Sequence, residues 1–195
     1  VRHFAVIGTR DCSAAQLEWV AGVCAAESGF LDDSVLVTGA APGIDQAGAE
    51  AWLQMSKMGR VLLFLPWPDY EKVWIDQLFM RYPERVDLHL RPILLPEQQT
   101  LVQAHHEYWH RLSRGSIALQ YRNLEIVRKA DAIYATPGTK PWGGGTGLGI
   151  RLGLHLEKRM FVFDPLGRNW RCGCTGFTFQ PTINHGPEPR EGFLT

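Results

Sequence analysis

Three glycine-bearing turns carry most of the chemistry in this sequence: GTRD at Gly8–Asp11, TGAAPGID at Thr38–Asp45, and TPGTKPWGGGTG from Thr136 to Gly147. Glycine after a strand lets the backbone approach an anion closely, with amide N–H groups and a helix N-terminus aimed at it. Any one of them can be a plain turn; three together make phosphate binding the sharper expectation. No register gives G-x-G-x-x-G and no G-K-[ST] completes a phosphate loop, so neither a Rossmann dehydrogenase nor a Walker NTPase is supported. Arg122 offers a fork suited to phosphate or carboxylate, the alternative being a helix-surface charge paired with Glu125. Asp45, at a helix start, either contacts a ribose or serves the helix end. Asp11 reads as a turn residue. Trp67, Tyr70 and Trp142 are candidates to stack on a base, although loop aromatics also complete cores.

Two further constellations are weaker. HEYWH (His106–His110) matches H-E-x-x-H, which on a helix sets two imidazoles on one face for zinc with Glu107 as base, but no third ligand follows at metalloprotease spacing. Cys172 and Cys174 form a C-x-C with His185 downstream and no second cysteine pair. Neither predicts a metal, and no cofactor is expected.

The elements that must position these residues alternate in type. HFAVIG (His3–Gly8), SVLVTG (Ser34–Gly39), RVLLFL (Arg60–Leu65), ADAIYA (Ala130–Ala135) and MFVFD (Met160–Asp164) read as strands. Ser13 and Gln16 form a capping box that opens a helix with Leu17, Val20, Ala21 and Cys24 on one face. Ile44, Ala47, Ala51, Met55 and Met58 mark a second helix, and Ile117, Tyr121, Leu124 and Val127 another. Leu148, Ile150, Leu152, Leu154 and Leu156 alternate as in a strand, whereas Gly145, Gly149 and Gly153 fall four apart as on a helix; a crossover between parallel strands favours the helix. The expectation is an α/β Rossmann-like parallel sheet with helices on both faces and ligand sites at the strand C-termini. Residues 66–114 form an elaboration between the third and fourth core strands, with one or two helices, and 165–195 a loop-rich tail of a single domain spanning 1–195.

Composition sets the limits. The 195 residues are 45% hydrophobic and 21% charged, which fits one ordinary globular domain. Twenty basic residues balance twenty acidic ones, so nucleic acid held mainly through phosphate neutralisation is the less expected partner. Four irregularly spaced cysteines and no leader-like opening make the cytoplasm the default expectation. Apolar runs such as Val61–Leu65 fall far short of the roughly 20 residues that span a bilayer, so no membrane partner is expected.

The segments VIGTRD, VTGAAPGIDQAGAEAW, LQYRNLEIVRKADAIYATPG and GGGTGLGIRLGLHLEKRMFVF resemble the SLOG superfamily of Rossmann-like nucleotide-binding domains. The YspA/cpYpsA-related branch is the most similar, through the glycine turn after the second strand and the R-N of Arg122 and Asn123; LOG phosphoribohydrolases and DNA-processing protein A are more distant. The resemblance implies that Gly8, Thr9 and Arg10 line one side of a nucleotide or sugar-phosphate pocket, Gly39, Gly43 and Asp45 its centre, and Gly138, Gly144, Gly145 and Thr146 its phosphate end, with Arg122 and Asn123 beside it. Gly149 stands where the LOG signature has its catalytic glutamate, which argues against that hydrolysis. The implied protein is a nucleotide or nucleotide-sugar sensor, or an enzyme on an N-glycosidic bond with Asp45, Glu107 and Arg122 as catalytic candidates and Glu125 as a further carboxylate. A homodimer is the implied assembly, and a DNA-processing protein A-like single-stranded DNA binder is the alternative.

Overall fold

A computed structural model describes residues 1–29, 34–90, 94–106, 108–139, 143–163 and the backbone of 170–172. Its elements run β1 (His3–Gly8), α1 (Ala14–Ser28), β2 (Val35–Thr38), α2 (Ile44–Met55), β3 (Arg60–Leu65), α3 (Lys72–Arg81), β4 (Val86–Leu90), α4 (Pro96–Ala104), α5 (Arg114–Lys129), β5 (Ala132–Thr136), α6 (Gly144–His155), β6 (Arg159–Val162) and β7 (Trp170–Cys172). The strands form one sheet in the order β4-β3-β2-β1-β5-β6-β7. The first six are mutually parallel and β7 pairs antiparallel with β6. This is the Rossmann-like α/β architecture the sequence predicts. Strand order reverses between β1 and β5, and crevices outside the carboxyl ends of strands at such a switch point are where open α/β sheets bind ligands.

The central strands β3, β2, β1 and β5 are buried on both faces, which is why they read as unbroken apolar runs. Along β1, Phe4 and Val6 face a layer made with Val20 and Cys24 of α1 and Ile44, Trp52 and Leu53 of α2. Ala5 and Ile7 face the opposite layer with Leu124 and Val127 of α5 and Leu148 and Leu152 of α6. Each fully buried large side chain of this set contributes about 1.5–3 kcal/mol. Cys24 belongs to the core, where burial pushes its thiol up to about 12 and leaves it unreactive.

Segment 144–155 is a helix, and its glycines explain how. A Cβ on Gly149 would lie 2.7 Å from Ile7 Cδ1, and one on Gly153 2.4 Å from Met160 Sδ, so α6 packs on β1 and β6 closer than any side chain there would allow. Of the alternating residues Leu148, Ile150 and Leu152 are buried by this helix's packing, whereas Leu154 is exposed, so they are not one strand face.

Several expectations need correction. The buried face of α2 is Ile44, Asp45, Gly48, Ala49, Trp52 and Leu53, while Met55 and Met58 are exposed. Close contact of Gly48 with Val6, where a Cβ would sit 2.8 Å from Cγ1, sets that rotation. On α1 the Ser13–Gln16 capping box is present, but Leu17 is exposed and Gln16 buried, because Gln16 Nε2 donates to the Pro137 carbonyl at 2.8 Å. The elaboration holds a strand as well as helices: β4 extends the parallel sheet beyond β3. Residues 170–172 are a strand rather than loop; the rest of the tail, with Cys174 and His185, lies outside the described residues. No helix among the described residues is long and apolar enough to cross a membrane.

Candidate functional site

The glycine turns converge at the carboxyl edge of the sheet, around a cavity of about 530 Å³ at the β1/β5 switch point. That volume lies within the range of small-ligand pockets. β1 delivers Gly8, Thr9 and Arg10; α2 delivers Asp45; α5 delivers Arg122 and Asn123; the loop after β5 and the start of α6 deliver Gly138, Gly144, Gly145 and Thr146. Ten of the predicted site residues thus share one crevice.

Gly39 and Gly43 stand behind it. A Cβ on Gly39 would fall 1.0 Å from Arg122 Nη1, so this glycine makes the space in which the guanidinium lies. Gly43 has φ +91°, open only to glycine at low cost, and a Cβ there would meet the Thr9 and Arg10 carbonyls at 2.5 Å. The turn after β2 is therefore seated on the turn after β1, joined by Ile44 N donating to the Thr9 carbonyl at 3.2 Å.

Asp45 is the pin of this assembly. Its carboxylate accepts from the Gly8 amide at 3.2 Å, from the Gly39 amide at 3.2 Å and from Arg122 Nη1 at 3.4 Å. Burial raises its pKa against the opposing pull of Arg122 and of the Gly8, Ala41 and Gly39 amides. It is not the helix cap; that position is Gly43. Arg122 pairs with Asp45 and not with Glu125, which bonds Arg128 at 3.0 Å. The side chains of Arg122 and Asp45 are only 5% and 6% exposed. Arg122 Nε is buried without a hydrogen-bond partner among the described residues. Its guanidinium carbon lies 5.8 Å from the Tyr70 ring centre, so Tyr70, itself buried, is a wall for the arginine and not the base-stacking surface its loop position suggests.

Helix ends complete the electrostatics. α1 and α5 are capped by Ser13 and Ser113. The start of α2 is satisfied from within, by the Thr9 carbonyl on Ile44 N and the Ala41 carbonyl on Gln46 N. By contrast, no side chain among the described residues caps α6 at Gly143, and its first turn, Gly144 to Thr146, borders the cavity. Orphan N–H groups and the positive end of the helix dipole favour an anion there. Asn123 holds that turn in place, donating to the Gly145 carbonyl at 3.3 Å.

Other sequence expectations fall elsewhere. Glu107 and Trp142 lie outside the described residues. α4 ends at Ala104 and His110 sits in a short turn of 3₁₀ helix over Trp109–Arg111, so His106 and His110 are not on one helical face. No group of three metal-ligating side chains occurs among the described residues. Leu119 and Gln120 line the cavity without having been anticipated. They lie within one turn of Arg122 and Asn123 on α5, and that spacing was the available signal.

Comparison with known proteins bears on the fold. No protein-family model and no curated protein matches the chain. Among solved structures, it is similar to DNA processing protein A (DprA) from Streptococcus pneumoniae, with TM-score 0.55 and 19% identity, over 83% of this chain and 50% of that one. It is also similar to DNA processing protein A from Helicobacter pylori, described for its single-stranded DNA binding mode, with TM-score 0.53 and 16% identity, over 83% of this chain and 64% of that one. The chain thus spans about half the length of the first and under two thirds of the second. Likeness at this identity establishes a shared Rossmann-like fold.

Proposed function

We propose that the crevice binds the phosphate of a nucleotide, and that this nucleotide is a unit of single-stranded DNA. The observation that carries the reading is the meeting of two positive groups at one cavity: the first turn of α6, which no side chain among the described residues caps, and the Arg122 side chain, which lines the same cavity. A phosphate oxygen supplies an acceptor for that helix end and a counter-charge for the guanidinium. The likeness to DNA processing protein A, one structure of which is described for its single-stranded DNA binding, supports the polymer over the free nucleotide. The same reading takes the chain as a SLOG-superfamily domain of the YspA-related branch, on the motifs that build the turns after β1 and β2 and the start of α6.

A second reading, a free nucleotide or nucleotide sugar, is favoured by the size of the cavity, which suits one such molecule. Within either reading Asp45 is a brace more than a catalyst, since both of its oxygens are engaged by backbone amides.

Calorimetric titration with a short oligothymidylate, with thymidine monophosphate and with a nucleotide sugar separates the two. Saturable oligomer binding with a shallow salt dependence, log K falling by about 1–1.5 per decade of salt, is expected, because a crevice with Arg10 and Arg122 neutralises at most two phosphates. Binding of the nucleotide sugar without the oligomer would favour the second reading, and no binding of any of the three would overturn both.

A further inference from the structure

We infer that Trp67 is a stacking platform for a base of single-stranded DNA, the nucleotide next to the one whose phosphate occupies the crevice. The inference rests on the proposed function and extends it to a second subsite. Trp67 follows β3 by two residues, at the carboxyl edge that also bears the crevice. Its ring meets Tyr70 edge-on, centroids 5.1 Å apart and planes at 88°, and lies 3.9 Å from where a Cβ on Gly115 would be. Held on these two sides, it is still 36% exposed.

Two other tryptophans show what a purely structural role looks like. Trp52 is fully buried and donates from Nε1 to the Arg60 carbonyl at 3.0 Å, and Trp74 donates to Glu50 at 2.8 Å. Trp67 makes no such bond among the described residues, so its indole N–H is left for solvent or a ligand. An anchored, exposed indole with a free donor is what a sequence-tolerant base platform requires.

Its surroundings connect it to the crevice by two routes. Through Tyr70 it reaches the Arg122 guanidinium, whose carbon is 5.8 Å from the Tyr70 ring. Along α5, Leu119 lies one turn beyond Gly115, about 6 Å away along the axis, and lines the cavity. The charge beside it is mixed: Asp69 is exposed two residues further along the loop, and basic charge comes from the start of α5. α5 runs 16 residues into parallel β5, so its N-terminus opens on the same edge, and Arg114 in its first turn is exposed. A DNA phosphate adjoining the stacked base draws on the charge of Arg114 rather than on this helix end, which Ser113 caps.

The test compares thymidine monophosphate with an oligothymidylate of about ten nucleotides on wild type, Trp67→Ala and Trp67→Phe. The oligomer should bind Trp67→Ala about 5- to 150-fold more weakly, the range expected for one lost base–aromatic stack. Trp67→Phe should recover most of the loss, and monophosphate affinity should stay within about twofold of wild type in both variants. Oligomer affinity unchanged in Trp67→Ala overturns the platform while leaving the crevice reading intact. Equal weakening of monophosphate and oligomer also overturns it, since Trp67 then acts on the crevice itself. Failure of wild type to bind either probe is failure of the crevice reading, and the platform falls with it.

Discussion

Replacing Asp45 with alanine is expected to lower the stability of the fold by about 3–5 kcal/mol. Truncation strips the acceptor from the Gly8 and Gly39 amides and from Arg122 Nη1 at once, all of them buried or nearly so. Each donor left dry and unpaired costs about 1–3 kcal/mol, and an abandoned buried guanidinium costs more. The loss is concentrated where the turns after β1 and β2 meet, so it also loosens the crevice wall. Urea denaturation followed by circular dichroism should give a midpoint shifted strongly downward with little change in slope. Asp45→Asn, which keeps one carbonyl acceptor, should fall between the two. A midpoint for Asp45→Ala equal to wild type would mean that the carboxylate does not hold these turns together.

The second large effect belongs to Arg122. Arg122→Ala should weaken oligothymidylate binding by about 10- to 150-fold, corresponding to roughly 1.5–3 kcal/mol for a charge-assisted hydrogen bond. Arg122→Lys should not restore it, because an ammonium can satisfy Asp45 or the ligand but lacks the planar fork that addresses both. Removing the guanidinium also leaves Asp45 without its charged partner, so binding must be measured at a temperature where the variant is fully folded. Wild-type affinity in a folded Arg122→Ala protein would remove Arg122 from the ligand.

Most of the fold is legible in the sequence because a doubly covered parallel sheet writes itself as short apolar runs separated by amphipathic ones. The β1, β2, β3, β5 and β6 segments carry that pattern. β4 does not: VDLHL alternates, is exposed on both faces from Leu88 on, and flanking prolines disguise it. The two methionines point to the wrong face of α2 because a glycine, Gly48, sets its rotation, and close backbone approach leaves no hydrophobic signal. The site shows the same division. The turns are visible as glycines, yet their roles differ in ways that only contact distances distinguish: Gly39 clears space for Arg122 and Gly43 seats one turn on another, whereas Gly144 and Gly145 leave a helix end open. The Asp45–Arg122 pair, 77 positions apart, has no local signature, and Glu125, three residues from Arg122, is the more obvious partner on paper.

The most direct test is a crystal structure of the protein with a short oligothymidylate. The account predicts a DNA phosphate oxygen about 3 Å from the Gly145 or Thr146 amide nitrogen and within hydrogen-bond reach of the Arg122 guanidinium. DNA bound elsewhere on the surface, with the first turn of α6 and the Arg122 guanidinium untouched by phosphate, would contradict it.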